Sequence, residues 1–287
     1  MSFKVKTFFD IDTNNATHVV CNEQSEDCLI IDPVLNFNLS AGKFSSAGAD
    51  KIVSFIEDNN LNVQWILETH IHADHVTAAA YLKQKLGGKT GISSRVSEVQ
   101  RYFKSFYDLG DELACDGSQF DHLFEDGEIF YFGDMGVEVM HTPGHTPACV
   151  TYYTDGKAFT GDTFFMPDSG TARCDFPGGN ANELYRSLQK ILTFPAATRI
   201  FINHDYGCNG SRDYCWETSV GEQLNFNIHL AENKTEDQFV SMRTGRDQTL
   251  PMPRLMLSAI QINMRGGRLP PPDKSGKYFL KIPVNPF

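Results

Sequence analysis

The segment Thr69-His70-Ile71-His72-Ala73-Asp74-His75 places three imidazoles and a carboxylate in seven consecutive positions. That density rules out a helix face as their support. Metal-binding histidines on a helix stand four apart, because 3.6 residues per turn brings those two side chains onto one face. His70 and His72 are two apart, the spacing that puts both rings on one side of an extended segment. Upstream, Val63-Gln64-Trp65-Ile66-Leu67 is apolar and rich in β-formers, which predicts a buried strand. Downstream, Val76 to Leu86 is rich in Ala, Leu and Lys and stops at Gly87-Gly88, which predicts a helix with a glycine cap. The cluster therefore belongs on a strand-to-helix turn, where α/β proteins concentrate their chemistry.

The rest of the chain repeats that arrangement. Strands are predicted near Lys4–Phe9, Thr17–Asn22 and Cys28–Asp32, then a helix over Ala49–Asn59 and the strand that delivers the histidines. A second strand block follows at Ile129–Phe132, Val137–His141, Cys149–Tyr153 and Ala158–Thr160. Leu184, Leu188, Ile191 and Leu192 recur at helical spacing, and Arg199–Asn203 reads as one more strand, ending at His204. Two strand blocks, each followed by helix, predict two sheets sandwiched between helices, an α/β fold of αββα type. Residues 1–215 are expected to form this core. Residues 216–287 read as a carboxy-terminal extension packed on it, with a capping box at Thr235 to Gln238 and a non-helical run at Pro270-Pro271-Pro272.

Composition excludes several partners. The chain carries 25 basic against 36 acidic residues, a formal charge of −11, with no Lys/Arg block to grip phosphates, so nucleic acid is not expected. No stretch approaches the roughly eighteen apolar residues a membrane span requires, and the start of the sequence lacks an export-type apolar run. Seven cysteines without a C-x-x-C pair suit a reduced compartment, and the expected location is cytoplasmic.

Five of the nine histidines sit in polar turns at strand ends: His70, His72, His75, His145 in Thr-Pro-Gly-His-Thr-Pro, and His204 in Asn-His-Asp-Tyr. Asp74 and Asp162, the latter in Thr-Gly-Asp-Thr, share that setting. Imidazoles with carboxylates are the donor set that zinc and iron prefer. His18, His122, His141 and His229 are read as structural. Gly87-Gly88-Lys89-Thr90 is not a phosphate loop, since the Walker pattern needs a glycine where Lys83 stands. Cys149 and Cys174 show no sign of activation and read as small buried side chains.

In order along the chain, Thr-His-Ile-His-Ala-Asp-His, Thr-Pro-Gly-His-Thr, Gly-Asp-Thr and His-Asp-Tyr resemble the metallo-β-lactamase superfamily. Within it the chain most resembles the persulfide dioxygenases, also called sulfur dioxygenases, in a bacterial β-lactamase-hydrolase-like branch. Three local features set it apart from the glyoxalase II thioesterases: Cys149 after the Thr-Pro-Gly-His loop, Arg173-Cys174-Asp175-Phe176, and His204-Asp205-Tyr206. The segment between the first two motifs is longer than in eukaryotic-type members.

The resemblance implies one Fe(II) per chain, held by His70, His145 and Asp162. It implies oxidation of glutathione persulfide by O2 to sulfite and glutathione. His72, Asp74, His75 and His204 become an outer shell or a second metal position, and Tyr206 a hydrogen-bond donor to the reacting groups. Arg173, Arg243 and Arg265 are the candidates for binding substrate, and a homodimer is the expected assembly. The alternative is two Zn ions bridged by Asp162 in a thioester hydrolase, for which all seven ligands are present. A third reading, a catalytically idle redox or sulfide regulator, would call for a broken ligand, and none is broken.

Overall fold

The computed structural model describes residues 3–230 and 234–285. In chain order the first half contributes β1 (Phe3–Asp10), β2 (Asn15–Asn22), β3 (Asp27–Ile31), β4 (Val34–Asn38), β5 (Lys43–Ser45), α1 (Ala47–Asp58) and β6 (Asn62–Leu67). Then come β7 (Val76–Thr77), α2 (Ala79–Leu86), β8 (Lys89–Ser93), α3 (Val96–Phe106) and β9 (His122–Phe124). The second half contributes β10 (Ile129–Phe132), β11 (Met135–His141), β12 (Val150–Thr154), β13 (Lys157–Phe159), α4 (Ala181–Leu192), β14 (Arg199–Phe201) and β15 (Glu217–Ser219). Three helices follow: α5 (Val220–Phe226), α6 (Glu236–Asp247) and α7 (Met256–Asn263).

Two six-stranded sheets form, ordered β1-β2-β3-β6-β8-β9 and β10-β11-β12-β13-β14-β15. The two-residue period of a strand decides what each sheet packs against. In β3, Leu29 and Ile31 face the second sheet's Val137, Tyr152 and Phe201, whereas Cys28 and Ile30 face Ile52 and Ile56 of α1 and Leu82 of α2. In β14, Phe201 joins the inter-sheet core while Ile200 packs on Leu184, Leu188 and Ile191 of α4. Strands buried on both faces read as nearly continuous apolar runs, as Cys28 to Ile31 does. The result is the expected αββα sandwich.

One expected element differs. Val76 and Thr77 do not start a helix; they pair antiparallel with Leu35 and Val34 of β4, and α2 begins only at Ala79. Two β-branched residues favour that pairing over a first helical turn. Beyond residue 215, β15 completes the second sheet against β14, and Phe239 of α6 is buried beside α4. Met256, Ile260 and Met264, in and just after α7, pack with Val99 and Phe103 of α3 and with Ile71 and Ala73 of the histidine loop. Thr235 caps α6 through the capping box with Gln238. No helix among the described residues is long and apolar enough to cross a membrane.

Gly144 locks the Thr-Pro-Gly-His loop onto α4. Its φ is +141°, and a Cβ there would lie 2.3 Å from the Leu184 backbone. Gly127 has φ +78° but open space around it. Gly144→Ala is therefore expected to cost on the order of 3 kcal/mol or more, and Gly127→Ala only about 1–2 kcal/mol. Urea unfolding of both variants checks the difference.

Candidate metal centre

The site gathers at one end of the sandwich, where several strands stop. β6 ends at Leu67 and releases Glu68, Thr69 and the histidine loop; β3 ends at Ile31, one residue before Asp32. β11 leads into the loop that carries His145, and the parallel pair β13 and β14 delivers Asp162 and His204. This is the carboxyl end of the parallel strands, the usual site position in open α/β sheets. Gly161, at φ +53°, lets the Asp162 turn approach Thr69 so closely that a Cβ would sit 2.4 Å from the Thr69 hydroxyl.

Each histidine is held by one ring nitrogen so that the other faces inward. His145 donates from Nδ1 to the Arg173 carbonyl at 2.7 Å, and His204 from Nδ1 to the Asn14 carbonyl at 3.1 Å. Thr69 spends its own hydroxyl proton on Asp32 at 2.7 Å, so it accepts from His70 Nδ1 at 3.0 Å. His75 Nδ1 lies 3.3 Å from Asp74. His72 is held from its other nitrogen: Nε2 donates to Asp32 at 2.9 Å, with Glu68 at 3.3 Å. Such outer partners fix tautomer and ring orientation in metal sites.

The inward atoms fit a metal. His70 Nε2, His72 Nδ1, His75 Nε2 and Asp162 Oδ1 are buried with no hydrogen-bond partner among the described residues, an arrangement that is costly unless a cation fills it. Asp162 Oδ2 lies 3.7 Å from His70 Nε2 and 3.5 Å from His145 Nε2, while its Oδ1 lies 3.4 Å from His204 Nε2, which is 3.2 Å from Asp74. Two donors each about 2.1 Å from one ion stand roughly 3.0–3.5 Å apart, close to these values. Burial, with His72 and His145 as neighbouring charges, holds His70 well below its usual pKa, so it presents a lone pair at neutral pH. For His72 burial acts the same way, but the Asp32 and Glu68 carboxylates outweigh it and raise its pKa well above the usual value.

A cleft of about 600 Å³ opens onto Asp74, His145, Asp162 and His204. Tyr206 stands half-exposed at its wall, its ring parallel to His204 with centroids 6.2 Å apart. Burial, then the Asp162 and Asp74 charges, raise its pKa and keep the phenol protonated. Arg173 lines the cleft too, yet its fork is engaged: Nε and Nη2 bind Asp175 at 2.6 and 2.7 Å, and Nη1 binds the Pro251 carbonyl at 2.6 Å. Arg243 is fully buried on Asp247 and the Thr171 carbonyl. Arg265 lies elsewhere, in a depression beside the Pro270–Pro272 run, and does not reach the centre. At the mouth of the cleft stand Arg246 and Arg254, both exposed and without an ion-pair partner among the described residues. His18, His122, His141 and His229 bond elsewhere, to Ile202, Glu128, Phe124 and Thr171.

Sequence reasoning missed the layer behind the histidines. Asp32, fully buried at φ +50°, accepts from Thr69 N and Oγ1, from His72, and from Asn203. Glu68 is buried between His72 and Thr77, and burial pushes its pKa up to about 7. A single Asp after an apolar strand and a Glu before the first histidine were the only available signals. Burial opposes the Asp32 charge, but His72 and the donors prevail and lower its pKa. Its contribution is thus present above the unfolded carboxylate value of 3.8 and lost as pH falls through the lower folded value. Asp32→Ala is expected to cost about 3–5 kcal/mol at neutral pH. Urea unfolding of the metal-free protein should show the deficit in full between about pH 4 and 6; it shrinks at lower pH as Asp32 is protonated, and again above about pH 6.5, because Asp32 also raises the pKa of His72.

Comparison with known proteins agrees with this geometry. The chain is 49% identical over 98% of its length to the "Beta-lactamase hydrolase-like protein" of Xylella fastidiosa, of which it spans 65%. It is 44% identical to "Glyoxylase B2" of Dictyostelium discoideum, over 98% of this chain and 97% of that one. It is 31% identical to human "Persulfide dioxygenase ETHE1, mitochondrial", over 88% and 84% of the two chains. Among solved structures, ETHE1 from Myxococcus xanthus superposes with a TM-score of 0.73 at 25% identity, covering 93% of this chain and all of that one. The family model for the metallo-beta-lactamase superfamily matches residues 12–204, which hold every inward-facing donor described above, and the chain belongs to that superfamily.

Proposed function

We propose that this protein oxidises glutathione persulfide with O2 and water to sulfite and glutathione, using one Fe(II) held by His70, His145 and Asp162. The observation that carries this reading is the grouping of donor atoms. Those three residues offer atoms that all lie within 4.8 Å of one another, whereas His72 groups with Asp74 and His75 and, on its far side, with Asp32 and Glu68. Two imidazoles and one carboxylate are the facial set of non-haem iron oxygenases, and the ion supplies redox chemistry with O2 and open positions for the substrate.

The remaining work belongs to the protein. Thr69 and the Arg173 carbonyl hold His70 and His145 in the required tautomers. Tyr206 keeps its proton and faces the cleft as a donor to the terminal sulfur or its oxygens. Arg173 shapes the wall through Asp175 and Pro251, so its role is to position the loop more than to bind substrate. Arg246 and Arg254 are placed to meet the glutathione carboxylates, a charge-assisted contact that an otherwise acidic chain must concentrate locally. The likeness to the human persulfide dioxygenase and to the Myxococcus ETHE1 structure supports the same reading.

A second reading is a two-metal thioester hydrolase, in line with the name of the Dictyostelium relative. It is favoured by Asp162, whose two oxygens face His70 and His145 on one side and His204 on the other. Metal-to-protein ratios separate the two. In the iron reading the wild type holds one iron and takes up O2 with glutathione persulfide. His70→Ala and Asp162→Ala lose both, and His204→Ala keeps its iron while activity falls by roughly 10–100-fold. A fall from two metals to one in His204→Ala, with hydrolysis of S-lactoylglutathione by the wild type, would establish the hydrolase instead. Replacing Arg246 and Arg254 together with Ala is expected to raise KM for glutathione persulfide by on the order of tenfold or more, with little change in kcat or metal content.

A further inference from the structure

Three backbone groups of the histidine loop depend on one side chain far away in sequence. Asn263, the last residue of α7, is 2% exposed. Its Nδ2 donates to the His72 and His75 carbonyls, both at 2.8 Å, and its Oδ1 accepts from Thr77 N at 2.9 Å. The amide thus fills the inside of the turn that runs from the second histidine to β7. His72 Nδ1 and His75 Nε2, the unpartnered ring atoms, hang from the two residues whose carbonyls it holds. The helix that delivers it is itself fixed, since Met256 and Ile260 pack on the α3 side and Leu255, Ala259 and Ile262 pack with Val76.

We propose that Asn263 is a positioning residue for the metal centre, and that it sets the spacing between His72, Asp74 and His75 on one side and His70 on the other. The inference rests on the metal-centre reading above. Two carbonyls drawn to one amide cannot rotate independently, so the amide fixes the peptide planes on either side of Asp74. Without it those carbonyls are left buried and unpaired, and the loop relaxes to satisfy them elsewhere. The ring atoms then lose the common focus that a bound ion needs.

The test uses metal-stripped full-length protein titrated with Zn2+ and, without oxygen, with Fe2+ against a competing chelator. Asn263→Asp keeps the acceptor for Thr77 and loses both donors; Asn263→Leu loses all three bonds; Asn263→Gln keeps an amide. Gln261→Ala is the control, because it loosens the same helix, through its bonds to the Leu257 and Lys281 backbone, without touching the histidine loop. Asn263→Asp and Asn263→Leu are expected to weaken metal binding by roughly 10–100-fold, with partial recovery in Asn263→Gln and a change under about threefold in Gln261→Ala. Circular dichroism and thermal midpoints of the metal-free proteins place the variants on one stability scale. If Asn263→Asp binds metal as tightly as the wild type, or no more weakly than Gln261→Ala at equal loss of thermal stability, the inference is overturned. If the wild type itself takes up neither ion, the metal-centre reading falls first.

Discussion

The buried charge of Asp32 is the constraint on which the site depends. It sits at the end of β3 in a left-handed backbone conformation, wholly shielded from water. An isolated carboxylate there would cost several kcal/mol, and what offsets that cost is a ring of donors from two separate segments. Thr69 and His72 come from the loop after β6, and Asn203 from the end of β14. Its own carbonyl accepts from Asn15 and Thr17 of β2. One anion therefore ties the strands of both sheets together where they must end in register. Hydrogen bonds to a charged acceptor are worth about 1.5–3 kcal/mol each, so the junction is more rigid than loops of this length usually are.

From that junction the order of the site propagates outward. Thr69 gives its proton to Asp32 and must then accept from His70, so the state of a residue behind the site dictates which nitrogen of His70 faces forward. His72 is tied to the same carboxylate from its opposite ring nitrogen. His145 and His204 are set by main-chain carbonyls, which cannot change protonation and so fix the tautomer unconditionally. The inner face thereby turns one nitrogen of each ring toward a common focus, and for His72, whose pKa the carboxylates behind it raise, a bound ion would take the place of a proton.

Much of this was legible in the sequence, and the parts that were not share a cause. The strand-to-turn placement of His70 and His72 followed from their spacing of two, and the sandwich followed from apolar runs whose period the structure confirms at Cys28 to Ile31 and at α4. Local pattern misassigned Val76 and Thr77 because the partner that claims them, β4, lies some forty residues earlier. Asp32, Asn203 and Asn263 carry no local signature either, since each matters only through donors and acceptors brought to it by the fold. Arg265 and Arg243 illustrate the converse: a cation is visible in any sequence, but whether its charge is free is a property of its neighbours. Cys149 is likewise explained by packing, being buried with its thiol pushed up to about 12.

How the arginines are used clarifies what the cleft can recognise. In a chain with eleven excess negative charges, most arginines near the site are consumed in building it. Arg212 binds Asp168 and Asp205 with both ends of its fork, clipping the loop after β14 to the loop after β13. Arg243 and Asp247 pin Thr171 and Cys174, and Arg173 with Asp175 holds Pro251. Arg243 with Asp247 and Arg173 with Asp175 are neutral as units, and Arg212 is outnumbered by its two carboxylates, so all three give the walls shape without giving them positive charge. The field that a substrate meets then comes from the few cations left unpaired, and among the described residues Arg246 and Arg254 stand where the cleft opens. On the reading proposed above, the free charge on these exposed arginines serves capture of an acidic carrier, while the donor cluster serves chemistry on its sulfur.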